Sequence, residues 1–89
     1  MKQTYEVRLD ARVTRELRGI NAKDRDRVLA AIESLAKEPR PTNAVRLVGQ
    51  PGLRIRIGNF RVLYEIDDAL CRVTVFRAGH RSDVYRSRD

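Results

Sequence analysis

Gly79 is followed within seven positions by His80, Arg81, Asp83, Tyr85 and Arg86, and this cluster holds the side chains with the most chemical scope in the chain. An imidazole takes or gives a proton near neutral pH, a phenol donates one or stacks on a planar ring, and guanidiniums hold anions with a planar fork. Upstream, Arg54 and Arg56 alternate with Leu53, Ile55 and Ile57, and Arg61 follows the Gly58-Asn59 turn. A period of two puts Arg54 and Arg56 on one face of a strand and the aliphatic residues on the other. The combination suits binding of a phosphate backbone with proton transfer close by.

The elements that must position these groups follow from the same periodicities. Leu53–Ile57 and Phe60–Ile66 read as a hairpin, with Phe60, Val62, Tyr64 and Ile66 on one side and Arg61, Leu63 and Glu65 on the other. Asp67-Asp68 supplies the next turn. Val73–Ala78 is apolar on both faces except at Thr74 and Arg77, as expected of an interior strand. Earlier, Tyr5, Val7 and Leu9 alternate as a first strand. From Ala11 the period becomes helical, with Val13, Leu17 and Ile20 inside, until Gly19 weakens the last turn.

Asn21 is an N-cap for a second helix, with Asp24 and Asp26 complementing the positive end of its dipole. Val28, Leu29, Ile32, Leu35 and Ala36 form its apolar stripe, and Pro39 and Pro41 stop it after Glu38. Residues 40–52 read as an irregular connector in which Val45, Leu47 and Val48 tuck against the sheet. The expected fold is a single α+β domain over residues 1–89. Two N-terminal helices pack on one face of an antiparallel sheet of about four strands, with a further short edge segment at Asp83–Tyr85. The other face stays open to carry Arg54, Arg56, Arg61 and Arg77.

Composition narrows the partners. The 89-residue chain has a formal charge of +7, and of its 19 basic residues only Lys2, Lys23 and Lys37 are lysine, leaving 16 arginines. Nucleic acid is the leading partner for so much guanidinium. No apolar run approaches membrane-spanning length and no signal-like segment opens the chain, so no membrane partner and a cytoplasmic location are expected. One cysteine, Cys71, and one histidine make neither an internal disulfide nor a metal cluster, and no cofactor is expected. Cys71 reads as a small buried or turn-edge residue, ahead of a nucleophile.

The hairpin LRIRIGNFRVLYEID, the ending VTVFRAGHRSDVYR and the order of elements resemble the RelE/ParE superfamily of toxins from bacterial type II toxin-antitoxin pairs, over essentially the whole chain. The likeness is nearer to RelE, whose members cut messenger RNA in the ribosomal decoding site, than to ParE, whose members poison DNA gyrase. The resemblance implies a RelE-like fold and a metal-independent, ribosome-dependent endoribonuclease. It implies three partners: the ribosome, messenger RNA and a cognate antitoxin whose acidic segment folds over the basic face, so that the toxin forms an oligomer with it. Residue by residue, the catalytic positions match Arg54, Arg56, Arg61, Arg81 and Tyr85. Better-known members carry Lys on the basic strand where this chain has Arg.

Metal-free RNA cleavage needs a base for the 2′-hydroxyl, positive charge at the transition state and an acid for the leaving 5′-oxygen. Arginine is not a base, since its pKa stays above about 12 in proteins. Weight therefore falls on His80 and Tyr85. The expected catalytic set is Arg61, His80, Arg81 and Tyr85, with Arg61 and Arg81 on the scissile phosphate. Arg54, Arg56, Arg77 and Arg86 bind flanking RNA. Each has a plainer reading. A lone histidine after a strand is ordinarily solvated or locally bonded. Arg54 and Arg56 also suit a charged edge that prevents aggregation. Arg77 also suits a pair with Glu65, and Asp83 a salt bridge to Arg81 or Arg86. Two alternatives to the nuclease stand: a ParE-like gyrase inhibitor, and a basic binding module confined to its antitoxin complex.

Overall fold

Asp10 and Asn21, both in extended backbone conformation, mark where the chain turns from strand to helix and from one helix to the next. In a computed structural model that describes residues 4–81, β1 (Glu6–Leu9) leads into α1 (Ala11–Arg18) and α2 (Ala22–Ser34). Four strands follow: β2 (Val45–Arg46), β3 (Leu53–Ile57), β4 (Phe60–Asp67) and β5 (Arg72–His80). Asp83, Tyr85, Arg86 and the edge segment expected there lie outside the described residues.

The helix boundaries have local causes. Asn21 caps α2 as its sequence suggests, its Oδ1 accepting the Asp24 N–H at 3.0 Å. The helix ends at Ser34, earlier than the prolines require. The N–H groups of Leu35, Ala36 and Lys37 donate to carbonyls three residues back, so the last turn tightens before Pro39 is reached. At the β3–β4 hairpin, Gly58 has φ of +59° while Asn59 has no positive φ. This is the arrangement of a type II′ turn, which places glycine first.

The sheet corrects the sequence reading in two ways. It has five strands in the order β1-β5-β4-β3-β2, and it is mixed. β1 runs parallel to β5, from Glu6↔Arg72 to Leu9↔Val75, while the other pairs are antiparallel. The first strand has no neighbour in sequence with which to form a hairpin, because two helices follow it. It pairs instead with the last strand, which becomes interior and accounts for the apolar character of Val73–Ala78. The fifth strand, β2, comes from the connector, where Val45 and Arg46 face Arg54 and Leu53.

Both helices contribute to one core with the sheet. Val13, Leu17, Ile20, Val28, Ile32 and Leu35 pack with Ile55, Val62, Tyr64, Val73, Val75 and Ala78. Leu35 and Tyr64 are fully buried, and the Tyr64 hydroxyl donates to the Pro39 carbonyl at 2.7 Å. Burial pushes the Tyr64 phenol up to about 12, so it stays neutral and fixes the chain leaving α2. Of the three connector residues expected to tuck in, only Leu47 does so. Val45 is 45% exposed and Val48 95% exposed. The reason is β2 itself: pairing with the edge of β3 holds this segment beside the sheet rather than over it.

At the end of the sheet remote from the β3–β4 turn, Asp68 accepts from Tyr5 at 2.6 Å and from both terminal nitrogens of Arg40, at 3.2 and 2.9 Å. These bonds hold the Asp68 carboxyl below its usual range and push the Tyr5 phenol up. Cys71 closes the β4–β5 turn with φ of +51°, a turn-edge place for this residue as the sequence suggests.

Candidate nucleic-acid interface

Strand alternation on β3 and β4 places the arginines. Leu53, Ile55 and Ile57 point towards the helices with Val62 and Tyr64, so Arg54, Arg56 and Arg61 share the outer face. With Arg46 at the rim, and Val45, Leu47, Val48 and Gln50 along the wall, they line a groove of about 430 Å³. Arg56 and Arg61 are directly opposite across the hairpin. Like charges at directly opposite positions destabilise a sheet, so the pair is not explained by stability. An anion in the groove would offset that repulsion.

Arg61 is the deepest of these groups, only 7% exposed, whereas Arg56 is exposed and Arg54 half-buried. Its Nη1 donates to the Phe60 carbonyl at 3.2 Å and the Gly58 carbonyl at 3.4 Å, so the hairpin turn orients the guanidinium. A cation with little water around it attracts a phosphate more strongly than one in bulk solvent.

The end of β5 brings the other chemical groups to the same end of the sheet. Gly79 faces Arg61, His80 faces Phe60, and the Arg81 N–H donates to the Asn59 carbonyl at 2.9 Å, extending the pairing one step. His80 and Phe60 meet edge to face, with ring centroids 5.9 Å apart and planes at 80°. Their side is the helix side. His80 lines a cavity of about 480 Å³ with Glu16, Asn21 and Phe60 at the α1–α2 corner. The imidazole and the Arg61 groove therefore lie on opposite faces at the same end of the sheet.

Arg77, expected on the open face as an RNA contact, is 7% exposed and engaged elsewhere. Its Nε donates to the Glu16 carboxylate on α1 at 2.8 Å, a partner other than the Glu65 that the sequence suggests. A register shift between Leu63 and Tyr64 inserts Phe76 as an extra residue in β5 and alters the local direction of the strand. Arg46 was not singled out from the sequence. The signal available was the short apolar run Ala44–Val48 carrying one cation beside the Pro51-Gly52 turn.

Among the described residues no three His, Cys, Asp or Glu side chains are grouped to hold a metal ion, and no helix is long and apolar enough to cross a membrane. The arrangement offers cations for a phosphate backbone on one face and an imidazole on the other face of the same sheet end.

The family model described as the ParE toxin of type II toxin-antitoxin systems matches residues 7–85, nearly the whole chain. The protein belongs to this toxin family. Toxin RelG of Mycobacterium tuberculosis is 35% identical over 89 residues, covering 92% of this chain and 97% of that protein. A chain in the crystal structure of the RelBE2 toxin-antitoxin complex from Mycobacterium tuberculosis superposes with a TM-score of 0.80 at 29% identity, over 93% of this toxin and 98% of that chain. The isolated E. coli RelE toxin gives a TM-score of 0.74 at 26% identity, over 91% and 90% of the two chains. The toxin is thus of the RelE/ParE superfamily and close to RelE in sequence and fold.

Proposed function

We propose that this toxin is a metal-independent endoribonuclease that cleaves messenger RNA in the ribosomal decoding site, and that a cognate antitoxin holds it inactive. The observation that carries the reading is the groove in which Arg54, Arg56 and Arg61 share one sheet face, with Arg56 and Arg61 directly opposed. RNA phosphates neutralise that cluster. Arg61 and Arg81 hold the scissile phosphate and stabilise charge that builds on it in the transition state, while Arg54 and Arg56 grip the flanking backbone. His80 takes or gives a proton, with RNA crossing the sheet end at Gly79 to reach the helix side. Tyr85 and Arg86, outside the described residues, keep their assigned parts as acid–base or stacking group and as RNA contact. Arg77 leaves the RNA-binding set, since its guanidinium is bonded to Glu16.

The antitoxin reading is supported by relatives crystallised as toxin-antitoxin complexes and by the charge of +7, which suits an acidic covering segment. One observation favours a second reading: the matching family model is described by ParE, so binding of DNA gyrase is the alternative.

A cell-free translation reaction with purified toxin, with mapping of messenger RNA 5′ ends with and without ribosomes, separates the two. New ends that need ribosomes and vanish in His80→Ala support the nuclease with His80 in the chemistry. Ribosome-dependent ends that survive His80→Ala keep the nuclease and move proton transfer to Tyr85. Continued translation with no new ends overturns the nuclease reading, and inhibition of gyrase supercoiling then supports the alternative.

A further inference from the structure

β1 accompanies β5 only as far as Val75, where the Asp10 N–H donates to the Val75 carbonyl at 3.0 Å and the chain turns away into α1. Among the described residues no strand lies beside the outer edge of β5 from Phe76 to His80, although this stretch carries Gly79 and His80 into place opposite Arg61 and Phe60. It also follows directly on the register shift at Phe76, where the ladder to β4 is interrupted. From Arg77 to His80 the pairing with β4 resumes, so the placement of this strand end depends on that ladder and on what meets its other edge.

α1 crosses that edge, and Glu16 bonds to it. Its Oε1 accepts the Ala78 N–H at 2.9 Å and its Oε2 accepts the Arg77 Nε–H at 2.8 Å. One carboxylate thus replaces a neighbouring strand for the backbone and neutralises a guanidinium that is nearly buried. Arg12, one turn earlier on α1, brings its Nε to 3.8 Å from the same oxygen and steadies the carboxylate from the solvent side. Glu16 is itself only 20% exposed and lines the cavity that His80 faces. Charge-assisted bonds to a carboxylate are shorter and stronger than neutral ones, so this contact is well suited to fixing the strand.

We propose that Glu16 is a positioning residue for RNA cleavage: by holding Arg77 and the Ala78 amide, it sets the end of β5 so that Gly79, His80 and Arg81 stand in register with Arg61. The inference rests on the nuclease reading. Glu16 is no part of the groove on β2, β3 and β4, so its loss affects the rate of cleavage and leaves binding to that groove intact.

The test compares Glu16→Ala and Glu16→Gln with the unaltered toxin at temperatures well below each protein's Tm. Single-turnover cleavage of ribosome-bound messenger RNA is measured beside fluorescence anisotropy of a short labelled single-stranded RNA. Misplacing a reacting group by an ångström costs on the order of 100-fold, so Glu16→Ala should cut roughly 10- to 100-fold more slowly, with RNA affinity unchanged within about twofold. Glu16→Gln keeps an oxygen for the Ala78 N–H and should recover at least part of the lost rate. Combined with His80→Ala, Glu16→Ala should add little, because both act at one place. Should Glu16→Ala not fold, Glu16→Asp, whose carboxylate is withdrawn by one methylene, should show the same loss.

Cleavage by Glu16→Ala at the unaltered rate overturns the inference and leaves the nuclease reading standing. A parallel fall in affinity and rate, or a Gln variant no faster than Ala, also overturns it. If the unaltered toxin cuts nothing, the nuclease reading itself has failed.

Discussion

Arg61 joins burial to orientation: a guanidinium 7% exposed, aimed by the carbonyls of its own hairpin turn, lies directly opposite Arg56 in the groove. A fixed charge of this kind stabilises a transition state without reorganising solvent. Arg61→Ala should therefore slow single-turnover cleavage by about 10²- to 10³-fold, or about 3 kcal/mol. Arg61→Lys should restore only part of that, because an ammonium lacks the planar fork. Cleavage by Arg61→Ala at the rate of the unaltered protein would remove Arg61 from the chemistry. This group was legible in the sequence because period-two alternation in Leu53–Ile57 and Phe60–Ile66 needs only local phase. Arg77 defeated the same argument. It pairs with Leu63, in phase with Arg61, but the carboxylate that takes the guanidinium is Glu16, far away in the chain and invisible to any local window.

Among the elements, α2 shows how much helix placement depends on termini. Its cap at Asn21 and its apolar stripe could be read from spacing, whereas its end at Ser34 could not, because tightening of the last turn leaves no sequence mark comparable to proline. Leu35, the capping residue at that end, is fully buried in the common core of helices and sheet. Leu35→Ala should lower unfolding free energy by roughly 2–5 kcal/mol, measured by urea denaturation. A loss below about 1 kcal/mol would mean that the core closes over the site. The strands divide in the same way as the helices. The β3–β4–β5 meander follows from hairpin chemistry, while β2 and the parallel alignment of β1 depend on which distant segment offers a free edge. A two-residue strand such as Val45–Arg46 lacks the length for alternation to be seen at all.

For the whole molecule, the +7 charge is unevenly used. Arg77, Arg72 and Arg40 are bonded to Glu16, Glu6 and Asp68, while Arg46, Arg54, Arg56 and Arg61 converge on one groove. Binding of single-stranded RNA there should release about 0.7 counterion per phosphate, so four contacts give a slope of about −3 in log K against log salt. Anisotropy titrations at several salt concentrations measure it, and Arg56→Ala should lessen the slope by about 0.7. A slope near zero would mean that the groove does not hold phosphates. An acidic segment of an antitoxin would meet the same charges and compete with RNA for them.

The parallel pairing of β1 with β5 also governs when the toxin comes into being. Glu6 lies against Arg72, so the sheet closes only between segments far apart in the chain. Contacts of such long separation form late and slow folding relative to local ones. During synthesis, β1 waits beside a growing chain until β5, the strand that aligns Gly79 and His80, has cleared the exit tunnel. The closed sheet is thus a late product of synthesis, which leaves an interval in which a newly made antitoxin can be the first partner it meets.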